Sequence, residues 1–441
     1  MKRLLSLLLC AVLALFCATT AQAAGVSITL TASEYALHYA FDAGAQDPFV
    51  ILEYTTPAEK GWMMLYSADG HFEGDVSLAY SGAGGKTSVA LTSARTTGSI
   101  GKASTTLPKA ADYQKPTGKS NAKVTDFVLT ETPEGFHYAF NAIGTDYMLL
   151  YWRSKEQTVT QPVYPDENGH YEGDVVSELT FARTQFTVQV KSGSGSMKKE
   201  ATVRKGYQAP EAPQRQEGRL SGVTVCIDAG HQENGHFVNE PIGPGLSGST
   251  SGKGGMAQGT KTNRRESIVC LEIGMLLRDE LLRQGANVVM TREDQTTFHT
   301  NIERCEIAEA GGAQIMLRLH CNNSSNRSKR GIQVYGPLNS DYAKAVADAD
   351  TYREMGQKLL DAMKTRVGMT LANSTGMVRL NDNYVGNNWA KMMCFLVEMG
   401  YLSNPAEEYL LVTPVYQQWL AEGMADGVYE IAVARGWAQA Q

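Results

Sequence analysis

The stretch "VCIDAGH" at residues 225–231 is a short apolar run that stops on two ionisable side chains, Asp228 and His231. A histidine after a strand is more often a structural residue than a ligand, so the segment alone predicts no function. Gly230 suits a sharp exit from a strand, because glycine has no side chain to restrict its backbone. The meaning of the stretch therefore depends on how the other apolar runs in this half of the chain end.

The C-terminal half alternates between two hydrophobic periodicities. Apolar, strand-like runs lie at 223–227, 287–291, 313–319, 331–335 and 391–397. Helical patterns alternate with them near 263–284, 300–311, 340–367 and 404–436. This alternation predicts an α/β domain with a central, mostly parallel sheet that is covered by helices.

Three of the apolar runs end on ionisable residues. Besides the first run, "IMLRLHCN" ends with His320 and "MCFLVEMG" ends with Glu398. Ligands of open α/β sheets bind at the carboxyl ends of the strands. One such ending would be uninformative, but three in one domain predict a common site.

A fourth candidate, Glu266, lies on a predicted helix. It precedes Cys270 by four residues and shares the apolar face that runs through Ile273 and Leu277. The alternative is a capping box in which Asn263 and Glu266 serve only the helix start. A carboxylate on the inward face needs a partner, and a metal ion is one such partner, so we favour the role of ligand.

Two histidines and one carboxylate from separate elements are the ligands of a catalytic zinc site with one open position. The sequence thus predicts that His231, Glu266 and His320 bind one Zn²⁺ ion. A base must still accept the proton of the attacking water. Glu398 is the candidate for that role, because it lies at a strand end and is followed by a glycine.

With these residues, the segment from about 222 to 437 resembles the zinc-dependent N-acetylmuramoyl-L-alanine amidases. The resemblance covers half of the chain and rests on the order of five segments: "IDAGH", "TNRRESI", "NIERCEIAEAGGAQIMLRLHCNNSS", "GIQVYG" and "FLVEMGYLSNP". It implies hydrolysis of the amide between N-acetylmuramic acid and L-alanine in peptidoglycan. His231, Glu266 and His320 would be the zinc ligands, and Glu398 would act as general base and acid on zinc-activated water.

The resemblance also suggests roles for neighbouring polar residues and exposes two departures. Asn322 and Arg379 match polar positions near the cleft and are expected to orient substrate, although Asn322 could equally cap local backbone. Asp228 is expected to orient His231.

The family's "GHGG" is replaced by "GHQENGH" and a Gly/Ser/Thr-rich loop up to residue 260. We expect this loop to be mobile, and it introduces His236 as a less favoured ligand. The second departure is a longer "RLNDNYVGNNWAKM" before the last strand.

The N-terminal half contains an internal repeat. "LHYAFDA" at 37–43 returns as "FHYAFNA" at 136–142, and "DGHFEGDV" at 69–76 returns as "NGHYEGDV" at 168–175. Short alternating runs separated by turns predict two tandem all-β, sandwich-like domains at 25–118 and 122–207, followed by a linker at 208–221. Tyr39 and Tyr138 are expected to be exposed, which would suit stacking against sugars, and the repeats are a possible site for a wall polymer.

The first 23 residues predict a secretory signal peptide. Lys2 and Arg3 precede an apolar run that is too short to span a bilayer, and "AQA" follows at 21–23. The mature chain is therefore expected in the cell envelope or outside it, without a transmembrane segment.

A net charge of −6 argues against nucleic acid as the main partner. Five cysteines remain after processing, and their number and spacing indicate no disulfide framework.

Three other functions compete with the amidase. The chain could bind the wall through the repeats and carry an inactive catalytic domain. It could be another zinc-dependent peptidoglycan peptidase, although the His-Glu-x-x-His signature is absent. A cysteine hydrolase built on Cys321 or Cys394 is disfavoured, because Cys321 and His320 would face opposite sides of a strand.

Overall fold

The computed structural model divides the chain into two compact units, Met1–Lys205 and Gly206–Gln441. It describes residues 19–22, 25–96, 98–113, 120–132, 135–154, 157–176, 186–191, 197–203, 209–232, 238–250, 256–368 and 377–440. Most of the predicted signal peptide and His236 lie outside these residues. No helix in the described ranges is long and apolar enough to cross a membrane.

The described part of the N-terminal unit is built from strands. They are β1 (Thr19–Gln22), β2 (Ser27–Ala32), β3 (Ala36–Asp42), β4 (Phe49–Thr55), β5 (Glu59–Tyr66), β6 (His71–Ser77), β7 (Gly85–Ser93), β8 (Ser99–Leu107), β9 (Ser120–Thr132), β10 (Gly135–Thr145), β11 (Met148–Arg153), β12 (Gln157–Val163), β13 (His170–Val176), β14 (Phe186–Lys191) and β15 (Met197–Val203). The sheet orders are β1-β2-β3-β6, β13-β10-β9 and β15-β14-β11-β12-β5-β4-β7-β8. The antiparallel pair of β12 and β5 joins strands from both halves of this unit into one eight-stranded sheet.

Alternation along the strands builds two hydrophobic cores in this unit. One contains Leu37, Leu52 and Leu91, and the other contains Phe136 and Leu150 among its members. Each core gathers the inward-facing residues of neighbouring strands, as the period of two along a strand predicts.

The two tyrosines that were expected to be exposed are buried. Tyr39 and Tyr138 are only 6% and 7% exposed. Each faces a glycine on the neighbouring strand: a Cβ at Gly74 or Gly173 would lie 2.8 Å from the tyrosine hydroxyl. The rings thus occupy the space that the glycines leave free, so the expectation of sugar stacking at these tyrosines was wrong.

The C-terminal unit has a mixed α/β architecture. Its strands are β16 (Thr224–Ala229), β17 (Asn287–Met290), β18 (Ile315–Asn322), β19 (Gln333–Gly336), β20 (Met377–Leu380) and β21 (Met393–Tyr401). Its helices are α1 (Glu266–Arg283), α2 (Asn301–Ala310), α3 (Asp341–Val346), α4 (Ala349–Val367), α5 (Val385–Trp389), α6 (Glu407–Leu410) and α7 (Pro414–Ala434). The sheet order is β17-β16-β18-β21-β19-β20.

The described strand pairs of this sheet are parallel except one. β19 runs antiparallel to β21, and all the other pairs are parallel. The prediction of a mostly parallel sheet with helices is therefore confirmed for this unit. Two boundaries differ: β18 and β21 continue past His320 and Glu398, so both residues lie inside strands rather than at strand ends. The short strand β20 was not predicted.

Candidate metal centre

Three potential metal ligands converge at one edge of the central sheet. His231 follows strand β16, His320 lies on β18, and Glu266 is the first residue of α1. The possible ligand atoms of the three side chains lie within 4.8 Å of one another. Glu266 Oε1 is 3.1 Å from His231 Nε2 and 2.9 Å from His320 Nδ1. The structure thus brings together the three residues that the sequence predicted as ligands.

Glu266 is held by backbone donors as well as by the histidines. Its Oε2 accepts a hydrogen bond from the Ala257 amide at 2.8 Å, and its Oε1 accepts one from the Cys321 amide at 3.0 Å. Burial raises its pKa, but the hydrogen bonds and charges of His231 and His320 outweigh burial and leave the pKa well below its usual value. The carboxylate is therefore ionised. The N-cap of α1 is Arg265, without a side-chain cap, so the capping box with Asn263 is not formed.

The backbone of His231 adopts an unusual conformation. Its φ is 58°, in the left-handed region that non-glycine residues seldom occupy. Two buried arginines hold the turn that follows β16 by donating hydrogen bonds to its backbone carbonyl oxygens. Arg292 Nε donates to Ala229 O at 2.7 Å, and its Nη2 donates to Gly230 O at 2.9 Å. Arg304 Nη2 donates to His231 O at 3.1 Å.

Asp228 reaches His231 only through one of these arginines. Its fully buried carboxylate accepts hydrogen bonds from Thr291 Oγ1 at 2.8 Å, Arg304 Nη1 at 2.5 Å and Arg318 Nε at 2.9 Å. Burial alone would raise its pKa, but the two guanidinium charges lower it strongly. Asp228 thus anchors Arg304, which holds the His231 carbonyl. Among the described residues, the hydrogen bonds of Asp228 do not include one to the His231 imidazole.

Glu398 lies beside the cluster on the adjacent strand. β18 and β21 pair in parallel register, with His320 opposite Glu398. The Oε2 atom of Glu398 is buried and has no hydrogen-bond partner among the described residues. Burial, with a smaller contribution from the Glu266 charge, raises the pKa of Glu398 to about 8. This carboxyl group therefore keeps its proton to a higher pH than a solvated glutamate does.

The two predicted substrate contacts lie on different strands. Asn322, at the end of β18, donates to Gln333 Oε1 at 3.2 Å and accepts from the Asn323 amide at 2.9 Å. Arg379 is exposed on β20 and pairs in register with Tyr335 on β19. Asn322 thus makes local contacts, as its alternative interpretation allowed, while Arg379 offers an exposed cation.

Part of the loop after His231 is firmly anchored. Glu240 is only 3% exposed, and its carboxylate accepts hydrogen bonds from the Asn301 and Ile302 amides at the start of α2. The Asn388 amide group binds Ile242 O at 3.0 Å, and Trp389 Nε1 binds Pro241 O at 2.9 Å. For residues 238–250, the expectation of a mobile loop was wrong, because buried polar contacts tie this segment to two helices.

The five described cysteines are all reduced and buried. Burial raises the pKa of Cys321 and of Cys394 well above the usual value of a thiol. A thiolate nucleophile needs the opposite shift. This disfavours a cysteine hydrolase.

The donor set suits a zinc ion. Two imidazoles and one carboxylate are the ligand types of catalytic zinc sites. Glu266 Oε1 lies within hydrogen-bond distance of both imidazoles, so the three donor groups are close enough together to bind one ion. The unpartnered Glu398 Oε2 supplies a proton-binding group on the next strand.

Comparisons with known proteins place the C-terminal part of the chain in a family. Residues 225–430 match the family model described as N-acetylmuramoyl-L-alanine amidase. A germination-specific N-acetylmuramoyl-L-alanine amidase of Bacillus subtilis is 26% identical over 231 residues, covering 49% of this chain and 83% of the relative. A probable cell wall amidase of Staphylococcus aureus is 27% identical over 218 residues, covering 48% of this chain and 60% of the relative.

Solved structures with the same description also align with this part of the chain. The N-acetylmuramoyl-L-alanine amidase of Clostridium difficile 630 is 25% identical, covers 48% of this chain and 96% of that chain, and gives a TM-score of 0.38. The enzyme of Mycobacterium smegmatis is 17% identical. The alignment covers 49% of this chain and 100% of that chain, and the TM-score is 0.42.

The α/β unit with its partly buried His-Glu-His cluster is that of a hydrolase domain acting on amides. More specifically, residues 225–430 form a domain of the N-acetylmuramoyl-L-alanine amidase family, whose named relatives include cell wall amidases.

The sequence interpretation missed the roles of Arg292, Arg304, Arg318 and Glu240. One signal was available: Arg318 interrupts an apolar strand, and a buried arginine requires a buried acid nearby.

Proposed function

We propose that the protein is an exported, zinc-dependent peptidoglycan hydrolase that cleaves the amide bond between N-acetylmuramic acid and the L-alanine of the stem peptide. The observation that carries the proposal is the cluster of the buried Glu266 and the partly buried His231 and His320, beside the unpartnered Oε2 atom of Glu398. The match to the amidase family supports the choice of bond.

The proposed ligands of the zinc ion are His231, Glu266 and His320. A bound zinc ion supplies Lewis acidity, which lowers the pKa of water and polarises a carbonyl group. The chain's own contribution is to hold the ligands rigidly: backbone amides fix both oxygens of Glu266, and arginines fix the backbone on either side of His231.

Glu398 is proposed to carry the proton of the reaction. A general base works best when its pKa lies near the working pH, because it must both accept and release a proton. Burial moves the pKa of Glu398 in that direction, and a cation bound nearby would bring it back down from about 8. The carboxylate would accept a proton from the attacking water and deliver it to the leaving L-alanine nitrogen.

The neighbouring polar residues are proposed to assist in different ways. Arg379 is exposed and can meet a carboxylate of the stem peptide. Asn322 supports the site edge through Gln333. Asp228 positions the His231 backbone through Arg304.

For the rest of the chain, we propose a signal peptide at 1–23, β domains at 25–118 and 122–207, a linker at 208–221 and the catalytic domain at 222–437. The 99-residue offset between His38 and His137, and between His71 and His170, supports the tandem repeat. Both halves also form the same cross-strand pair, His38 with Asp75 and His137 with Asp174. The β domains are proposed to bind a wall polymer.

The test is to incubate purified cell walls with the full chain and to identify the released fragments by mass spectrometry. Peptides with a free N-terminal L-alanine are required for the proposed amidase. Release should stop when zinc is removed by a chelator and resume when zinc is restored. Glu398→Gln should abolish release, whereas Glu306→Gln, an exposed carboxyl on α2, should not.

Other outcomes would replace the proposal. Cleavage within the peptide, with no free N-terminal L-alanine, would point to a zinc peptidase. Binding to walls without any release would point to a wall-binding protein with an inactive catalytic domain. Full activity of Glu398→Gln would remove that residue from the mechanism.

A further inference from the structure

A groove of about 740 Å³ lies in the N-terminal unit, and none of its lining residues belongs to the candidate metal centre. It runs over the eight-stranded sheet across β5, β4, β7 and β8, and β12 closes one side. Glu53 and Lys60 lie on this face, whereas Leu52 and Leu65, which alternate with them along β4 and β5, point into the hydrophobic core. The groove therefore belongs to the outer face of the sheet.

The groove carries an excess of positive charge. Lys60, Lys86 and Lys102 line it and are exposed, and the acid among its lining residues is Glu53. In the part of the chain that the structure describes, none of the three ammonium groups has an ion pair. Lysines that serve solubility alone are scattered among acids, but these three converge on one concave surface. The groove is thus suited to an anionic ligand.

Hydroxyl groups form a row across the same surface. Thr55 is opposite Ser88, and Ser88 is opposite Ser104, in successive strand pairs. On the other side Thr55 faces Lys60, which faces Thr158. Hydroxyls both donate and accept hydrogen bonds, so such a row suits a ligand that is itself rich in hydroxyl groups.

The second half of the unit has a different residue at one position that carries a groove lysine in the first half. Lys102 pairs with Ala90 across β8 and β7, and the equivalent pair across β15 and β14 joins Glu200 to Gln189. The position that carries a lysine in the groove thus carries an acid in the other half. The His38–Asp75 pair, in contrast, is kept as His137–Asp174. The lysine at position 102 is therefore a feature of the first half and is not part of the shared strand pattern.

We propose that this groove binds a linear, hydroxyl-rich polymer, a glycan or a polyol phosphate, that carries carboxylate or phosphate groups along its length. The lysines would pair with the anionic groups, and the row of Thr and Ser side chains would bind the sugar or polyol hydroxyls. Trp62, opposite Glu53 in the sheet, contributes an aromatic ring to the lining. That this polymer belongs to the cell wall rests on the proposed amidase function.

The test is calorimetric titration of the full chain with three probes: polygalacturonate, poly(glycerol phosphate) and the neutral glycan dextran. At least one polyanion should bind and dextran should not, and the one that binds identifies the anionic group. Lys102→Glu, which introduces the residue of the other half, should weaken binding about fivefold. Reversing all three lysines should weaken it by at least about fiftyfold.

The matched control is Lys123→Glu, an exposed lysine on β9 in a different sheet of the same unit, which should bind as the unaltered chain does. Circular dichroism checks that each variant is folded.

Three results would overturn the proposal: failure of both polyanions to bind, equal binding of dextran, or undiminished binding by the triple variant. Hydrolysis of a soluble muramyl peptide should be unchanged in the triple variant. If the unaltered chain binds a polyanion but has no amidase activity, the proposed function is refuted and the proposal for the groove stands.

Discussion

Replacing Glu398 by Gln should abolish catalysis and, at the same time, stabilise the metal-free C-terminal unit at neutral pH. The Oε2 atom of Glu398 is buried and has no partner among the described residues, and the charge of Glu266 acts on the same carboxyl. Ionising it inside the protein is therefore costly. Glutamine has nearly the same shape but stays neutral, so it imitates the protonated carboxyl at every pH.

The size of the effect follows from the pKa of Glu398, which rises from 4.5 to about 8 on folding. A carboxyl whose pKa is higher in the folded than in the unfolded state makes a contribution that is fully present below the unfolded pKa. That contribution is lost as the pH rises through the folded pKa. Each pH unit between the two values costs about 1.4 kcal/mol, so the loss reaches about 3 kcal/mol at neutral pH.

The assay is denaturant unfolding of chelator-treated protein from about pH 5 to about pH 8. All helices in the described ranges belong to the C-terminal unit, so the helical circular dichroism signal reports on that unit. The stability of Glu398→Gln minus that of the unaltered chain should be small at the acidic end and grow toward about 3 kcal/mol near pH 7. Groups that titrate in both proteins cancel in this difference to first order.

The control is Glu306→Gln, whose carboxyl is exposed and whose stability difference should stay near zero across the range. A difference for Glu398→Gln that does not change with pH would refute the reasoning. It would mean that the Glu398 carboxyl is solvated or paired in solution. The proposed proton transfer, which depends on the burial of this carboxyl, would then be refuted as well.

Three further substitutions test the surroundings of the site. Asp228→Asn removes the charge shared by two buried arginines and should destabilise the C-terminal unit by about 3–5 kcal/mol in denaturant unfolding; a loss below about 1 kcal/mol would contradict the buried network. Glu240→Ala removes the carboxylate at the start of α2 and should cost about 1–2 kcal/mol, measured in the same way, while zinc affinity stays unchanged. Gly230→Ala would place a Cβ 2.7 Å from His320 Nε2 and 2.4 Å from Leu319 O, so zinc affinity in a chelator competition should fall at least about tenfold; unchanged affinity would show that the ring can move aside.

The sequence was most informative where a side chain disagreed with its surroundings. His231, His320 and Glu398 stand out because each is ionisable and adjoins an apolar run, and the sheet brings such positions to one edge. Glu266 stands out because it lies on the apolar face of a helix. These positions could be predicted because the parallel sheet follows from the alternation of strand and helix patterns, without knowledge of any contact.

The remaining structure depends on contacts between residues that are distant in the sequence. Arg304 binds Asp228, which is 76 residues away, and Arg292 binds the carbonyl of Gly230, which is 62 residues away. Spacing in the chain cannot show such pairs. The loop at 238–250 looked mobile because its Gly and Ser content is typical of flexible segments. Its order comes from Glu240 and from two side chains of α5, which composition does not report.

The strained backbone of His231 explains why so much buried charge surrounds one proposed ligand. A non-glycine residue in the left-handed region costs on the order of 1–2 kcal/mol. Hydrogen bonds from charged groups contribute about 1.5–3 kcal/mol each, and Arg292 and Arg304 both donate to the carbonyls of this turn. These bonds outweigh the strain, but only while the arginines stay buried, and Asp228 neutralises one of them there. The imidazole is therefore directed toward Glu266 by the folding of the unit itself, before any metal binds.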